Sequence, residues 1–219
     1  MPAQLVLPLQ TEPAFGRDDF IVSEVNAQAV ALIDAYPNWP APVVALYGPP
    51  GSGKSHLARV WASRAQAAIV KATALDDFVV AHFPRGPLAI EDVESAPPES
   101  RDSALFTLLE RGTALLLTGR EHPTRWPVLL PDLASRFRAA IAFPLWAPDD
   151  RLLADLARKL FLDRQLRVPE AVIARMTVSL ERSPAAIRDF VDRLDSRALA
   201  EKRAISVALV REMLPPPAR

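Results

Sequence analysis

One segment of the chain carries the residue types that bind phosphate groups. Backbone N–H groups of a tight glycine-rich turn converge on phosphate oxygens at the positive end of the following helix. A lysine after the turn reaches the β- and γ-phosphates, and a hydroxyl beside it binds Mg²⁺. The segment consists of Gly48, Pro49, Pro50, Gly51, Ser52, Gly53, Lys54 and Ser55. It predicts a nucleotide-binding P-loop, with ADP or ATP and Mg²⁺ as ligands and with Ser55 on the metal.

Two carboxylates follow the apolar run 88–90 and are the candidates for the metal side of this site. They are Glu91 and Asp92. In P-loop enzymes the first acid supports Mg²⁺, usually through water, and the second orients the attacking water. We therefore expect Glu91 to be metal-binding and Asp92 to be catalytic. The usual first acid is aspartate, so Glu91 leaves the metal geometry and the rate of hydrolysis open. The alternative is a solvated strand end.

A polar residue also ends the next apolar run. Leu115-Leu116-Leu117 leads into Thr118. At the end of a neighbouring strand, this hydroxyl would lie between the two carboxylates and the γ-phosphate. We expect Thr118 to take part in catalysis as a sensor of the phosphate, with a strand-capping threonine as the alternative.

The elements that must position these residues alternate between strand and helix. Apolar runs predict strands over 43–47, 68–72, 88–90, 114–118 and 140–143, with helices over 26–36, 55–65 and 102–111. This alternation predicts an α/β core with a mostly parallel sheet flanked by helices. Capping residues or prolines then open four helices at Asp149 or Asp150, Pro169, Ser183 and Ser206. We expect an N-terminal arm over 1–19, a nucleotide-binding domain over 20–147 and an all-α lid over 148–219.

Composition argues against two features, a thiolate metal site and a membrane span. There are no cysteines and no apolar run of 18 residues, so a thiolate metal site and a membrane span are not expected. No basic leader precedes the apolar N-terminus, which favours a cytoplasmic location. Residues 1–150 hold 12 basic and 17 acidic residues, and residues 151–219 hold 14 and 9. The basic lid could meet an acidic partner or nucleic acid, or it could simply be a solvated helical surface.

Four blocks of sequence resemble the DnaA family of AAA+ proteins, and the likeness spans about residues 4–214. The blocks are Phe20-Ile21-Val22 with Asn26, Leu46–Leu57 around the P-loop, Leu130–Phe137, and Ala186-Ile187-Arg188. The resemblance implies that Phe20, Val22 and Asn26 contact the base and ribose. It also places His56 in the nucleotide-binding block.

The same resemblance implies roles for two arginines. Arg188 would be the lid's "sensor 2" residue, which reaches the nucleotide phosphates. Arg136 would be an arginine finger in a loop before the fifth strand, exposed to a neighbouring subunit whose γ-phosphate it stabilises. Guanidinium is always charged and can bind two phosphate oxygens at once. The alternative for either residue is a surface arginine in a weak salt bridge.

The N-terminus resembles a peptide that binds the sliding clamp, the β subunit of DNA polymerase III. The peptide consists of Gln4, Leu5, Val6, Leu7, Pro8 and Leu9, with all but Val6 expected at the clamp. An edge strand or a tail is the alternative. We expect no helix-turn-helix domain after the lid, unlike in full-length DnaA.

Within the DnaA family, the resemblance is closest to short regulatory homologues. It implies a clamp-bound protein that stimulates ATP hydrolysis by DnaA and so inhibits replication initiation. DNA would be contacted only through the clamp, and a homodimer is possible. The chain would bind ADP or ATP with weak hydrolysis of its own at most. Two alternatives stay open: a self-sufficient ATPase such as a DnaC-type helicase loader, and a DnaA-like binding module acting at a membrane or elsewhere.

Overall fold

The computed structural model describes residues 16–82 and 86–214. The predicted clamp-binding peptide at residues 4–9 lies outside the described residues. The chain divides into two compact units at Pro148, and the described part of the first unit runs from residue 16 to Ala147.

The first unit is built on a parallel sheet of five strands in the order β2-β3-β4-β1-β5. The strands are β1 Val43–Tyr47, β2 Ala68–Lys71, β3 Leu88–Glu91, β4 Leu115–Gly119 and β5 Ile141–Pro144. Their helices are α1 Ala27–Asp34, α2 Lys54–Ala65, α3 Asp77–His82, α4 Pro98–Glu110 and α5 Pro131–Ala139. The predicted fold class, a parallel α/β sheet flanked by helices, is confirmed.

The three inner strands are apolar because both of their faces are covered. Side chains alternate between the two faces of a strand. On β1, Val43 and Ala45 join a core with α4 and α5, whereas Val44 and Leu46 join a second core with α1 and α2. Strands buried on both faces read as continuous apolar runs, which is why β1, β3 and β4 could be predicted from sequence.

The structure corrects the predicted position of Arg136, which lies on helix α5 and not in a loop. Pro131 occupies the first turn, where its fixed φ and missing N–H are tolerated. Leu133 and Phe137, four residues apart on one face, are both buried in the core. Both signals are present in the sequence, but this helix was not among the predicted elements.

The second unit, as far as it is described, consists of helices alone. These are α6 Asp150–Asp163, α7 Glu170–Ser179, α8 Pro184–Glu201 and α9 Val207–Met213. Three predicted caps form: the side chains of Asp149, Ser183 and Ser206 accept backbone N–H bonds at 2.7, 3.1 and 3.3 Å. Among the described residues, no helix combines the length and apolar character needed to cross a membrane.

Candidate functional site

The predicted phosphate-binding residues meet at one edge of the sheet. β4 lies between β1 and β3, and all three strands are parallel, so their carboxyl ends share that edge. The glycine-rich turn follows β1. Glu91 is the last residue of β3 and Asp92 follows it, and Thr118 is the second-last residue of β4. The Gly48 N–H donates to the Gly119 carbonyl at 3.1 Å, which joins two of these segments directly. Strand order therefore brings together residues that are far apart in sequence.

Two glycines of the turn are required by their surroundings. A Cβ at Gly48, which has φ +150°, would lie 2.0 Å from the Leu145 carbonyl oxygen. A Cβ at Gly53, at φ +100°, would lie 3.0 Å from the ring of Phe20. Gly53 directly precedes α2, so the turn delivers the chain into the N-terminus of a 12-residue helix. This is the geometry that a phosphate-binding turn needs.

Lys54 lies at the start of α2 and is buried with its ammonium group against the turn. Its Nζ donates to the carbonyls of Gly48 and Pro49 at 2.7 and 2.8 Å. Burial lowers the pKa of Lys54 below its usual 10.5, and the charges of Asp92 and Glu94 partly oppose that effect. Ser55, the predicted metal ligand, is exposed in the first turn of the same helix.

The acidic turn after β3 is closely tied to β4. The Asp92 N–H donates to Thr118 Oγ1 at 3.1 Å, and Asp92 itself has a left-handed backbone at φ 55°. Glu91 is 8% exposed, and its Oε1 is buried without a hydrogen-bond partner among the described residues. A buried carboxylate oxygen with no protein partner suits a water-mediated ligand of a cation. No group of three metal-binding side chains occurs within 16–82 and 86–214.

Glu94 is a residue of this site that was not predicted from the sequence. Its Oε1 accepts the Arg120 N–H at 2.8 Å, and its Oε2 is buried without a partner in the described chain. Gly119 makes room for it, because a Cβ there would lie 2.5 Å from Glu94 Oε2 and 2.6 Å from the Trp126 ring. The available signal was a third acid two residues after Asp92, together with a glycine directly after Thr118.

One of the predicted base-binding residues, Phe20, contacts the start of α2. The rings of Phe20 and His56 meet edge to face at 5.2 Å, and Val22 is 48% exposed. Asn26 accepts the Ser23 N–H at 2.9 Å and donates to the Ile21 carbonyl at 2.9 Å. Its amide therefore shapes the backbone of the segment that carries Val22.

The two predicted arginines lie in different units. Arg136 is 46% exposed on α5 and forms an ion pair with Glu110, at the last turn of α4. A surface ion pair of this kind was the alternative to an arginine finger for this residue. Arg188 lies on α8 of the second unit, next to the buried Ile187, and is half-buried. Its predicted contact with nucleotide stays a prediction.

Comparison with known proteins identifies the fold. No protein-family model and no curated protein matches the sequence. Domain III of the Thermotoga maritima replication initiation protein DnaA matches with TM-score 0.72 and 16% identity, covering 93% of this chain and 98% of that one. AMPPCP-bound DnaA from Aquifex aeolicus gives TM-score 0.70 and 19% identity over 88% and 68% of the two chains.

A second kind of protein has a similar structure. The RuvB Holliday junction branch migration motor of Thermotoga maritima matches with TM-score 0.71 and 22% identity, over 90% of this chain and 70% of that one. At these identities the likeness concerns the fold. The chain therefore has the AAA+ fold that DnaA domain III and RuvB share, with a five-stranded parallel core.

Proposed function

We propose that the chain binds ADP or ATP with Mg²⁺ at the edge formed by β1, β3 and β4. One observation carries the proposal: a turn that requires glycine at positions 48 and 53 leads into α2, with Lys54 at the first position of that helix. The structure of a DnaA with a similar fold contains AMPPCP. Ser55 and Glu91 would hold the metal, which would neutralise negative charge on the phosphates.

The remaining residues of the site have distinct tasks in this proposal. Lys54 leaves the carbonyls of its own turn and binds phosphate oxygens. Asp92 orients water, and Thr118 reports on the γ-phosphate from the end of β4. Phe20, Val22 and Asn26 would bind the base together with His56, and Arg188 would bind the phosphates.

We further propose that the chain regulates replication initiation in the manner of Hda, the regulatory homologue of DnaA. Bound to the sliding clamp through residues 4–9, it would present Arg136 to ATP-bound DnaA and so stimulate ATP hydrolysis there. The support is that Arg136 is half-exposed on a short helix anchored in the core, where a second chain can reach it. Its ion pair with Glu110 is exposed and therefore weak enough to exchange for a phosphate.

A self-sufficient ATPase is the second candidate, and a specific contact favours it. Asp92 and Thr118 are already hydrogen-bonded to each other beside the buried Glu91. A cis catalytic site would need these three residues together. Glu91 in place of the usual aspartate argues for slow turnover, which favours the regulatory function.

The decisive experiment measures ATP hydrolysis by DnaA in the presence of the DNA-loaded clamp and this chain. Arg136→Ala should remove the stimulation almost completely, because a trans arginine contributes about 10³-fold or more. Arg138→Ala, on the same helix and exposed, is the matched control. Normal stimulation by Arg136→Ala would reject the finger and favour the cis ATPase.

The clamp contact has its own test. Changing Gln4, Leu7 and Leu9 to alanine should abolish co-elution with the clamp and leave nucleotide affinity unchanged. Val6→Ala is the control, because that side chain is predicted to point away from the clamp. Clamp binding by the triple variant at wild-type affinity would remove the main support for an Hda-like role.

A further inference from the structure

One peptide group at the end of β4 connects the two turns of the candidate site. Its carbonyl belongs to Gly119 and accepts the Gly48 N–H of the glycine-rich turn at 3.1 Å. Its N–H belongs to Arg120 and donates to Glu94 Oε1, in the acidic turn after β3, at 2.8 Å. The backbone that carries the Arg120 side chain is therefore fixed between the turn that would hold phosphate and the turn that would support the metal.

Aromatic side chains also hold the loop that Arg120 begins. The ring of His122 meets the ring of Tyr47, the last residue of β1, edge to face at 5.1 Å. Trp126 is 3% exposed, and its Nε1 donates to the Glu121 carbonyl at 2.8 Å. Because these contacts already order the backbone, a ligand of Arg120 would have to order little more than the side chain itself.

The guanidinium of Arg120 is close enough to Lys54 to act on its charge. Burial lowers the pKa of Lys54, the carboxylates of Asp92 and Glu94 oppose that effect, and Arg120 adds to it. Two cations at one edge of the sheet repel each other, and a phosphate chain bound between them would turn this repulsion into attraction for both. The geometry of the loop and this mutual influence both place Arg120 at the rim of the site.

The partner of Arg120 in the structure is easily exchanged. The Arg120 side chain is 67% exposed, and its Nε lies 4.0 Å from Glu94 Oε1. An exposed ion pair at this distance contributes little, because water screens both charges. The guanidinium can therefore leave Glu94 for a phosphate while the backbone bond between the two residues stays in place.

We propose that Arg120 binds the terminal phosphate of ATP within the same chain and so makes the site prefer ATP to ADP. The inference rests on the proposed nucleotide site. Arg120 follows Thr118, the residue proposed to report on the γ-phosphate, by two positions. A guanidinium there can donate two parallel hydrogen bonds to that phosphate, and ADP offers no group at the same place.

Nucleotide affinities measured by calorimetry in the presence of Mg²⁺ test the proposal. Arg120→Ala should bind AMPPCP, an ATP analogue that resists hydrolysis, about tenfold or more weakly than the wild type. Its ADP affinity and melting temperature should be unchanged, since ADP lacks the third phosphate and the side chain is mostly exposed. Arg125→Ala is the matched control, because Arg125 is 74% exposed in the same loop and pairs with Glu121 at 3.6 Å.

The other outcomes separate this inference from the proposed site. If Arg120→Ala binds AMPPCP as the wild type does while Lys54→Ala binds no nucleotide, the site stands and the role of Arg120 is wrong. Equal losses of AMPPCP and ADP affinity in Arg120→Ala also overturn the inference, because the contact would then not be with the terminal phosphate. If Lys54→Ala retains wild-type affinity, the proposed site and this inference both fall.

Discussion

The Asp92 N–H donates a hydrogen bond to Thr118 Oγ1 at 3.1 Å, and this bond joins the ends of two adjacent strands. Thr118 is 1% exposed. A hydroxyl that accepts one bond still has its own hydrogen to donate. The same side chain can therefore cap the acidic turn and offer a donor to a phosphate oxygen, so the two predicted roles of Thr118 are compatible.

Thr118→Val should destabilise the protein because the Asp92 N–H loses its acceptor. A fully buried donor left unsatisfied costs about 1–3 kcal/mol. The Asp92 N–H is partly buried, so the loss should lie toward the lower end of that range. Thr118→Ser keeps the hydroxyl and should recover most of that free energy of unfolding, as measured by urea denaturation. Equal stability of the valine and serine variants would show that the bond contributes nothing.

Lys54→Ala should abolish ADP and ATP binding, because the turn loses its positive side chain at the β- and γ-phosphates. Isothermal titration calorimetry measures this directly. Lys71→Ala, an exposed lysine at the end of β2, is the control and should bind as the wild type does. Unaltered ADP affinity of Lys54→Ala would reject the phosphate-binding loop.

Nucleotide affinity should also fall at alkaline pH. Burial lowers the pKa of Lys54 below 10.5, so the ammonium group of the free protein loses its proton earlier than an ordinary lysine does. Phosphate binds the protonated form, so the dissociation constant should rise as the pH passes that lowered pKa. A dissociation constant that stays flat up to pH 10.5 would contradict this prediction.

Gly119→Ala should destabilise the first unit, because its methyl group would meet Glu94 Oε2 at 2.5 Å and the Trp126 ring at 2.6 Å. Overpacking of this kind costs about 1–3 kcal/mol. Gly86→Ala is the matched control, since a Cβ there has no neighbour within 4 Å. Equal melting temperatures of the two variants would show that the neighbours of Gly119 shift to accept the methyl group at no cost.

Arg188→Ala should weaken nucleotide binding while the fold is retained. The proposed contact is a guanidinium–phosphate pair, which is charge-assisted and bidentate. Arg193→Ala on the same helix is the control. The guanidinium of Arg193 lies over the ring of Phe190 and is not proposed to bind nucleotide. Equal ADP affinity of the two variants by calorimetry would remove Arg188 from the site.

The sequence by itself determined the elements whose signals are local. Each strand begins and ends within one residue of its predicted bounds. For the inner strands β1, β3 and β4 the reason is that an apolar run covered on both faces is visible in the residues themselves. The helix caps at Asp149, Ser183 and Ser206 formed as predicted, since each joins a side chain to an N–H three residues away.

Tertiary structure alone decided which distant residues share a surface. Glu94 and Arg120 are 26 residues apart, and their bond exists because β3 and β4 pair in the sheet. No local pattern marks Arg101 and Asp102 as buried, and the loops folded over α4 supply the backbone partners of this pair. Such contacts depend on strand order and packing, which local periodicity does not encode.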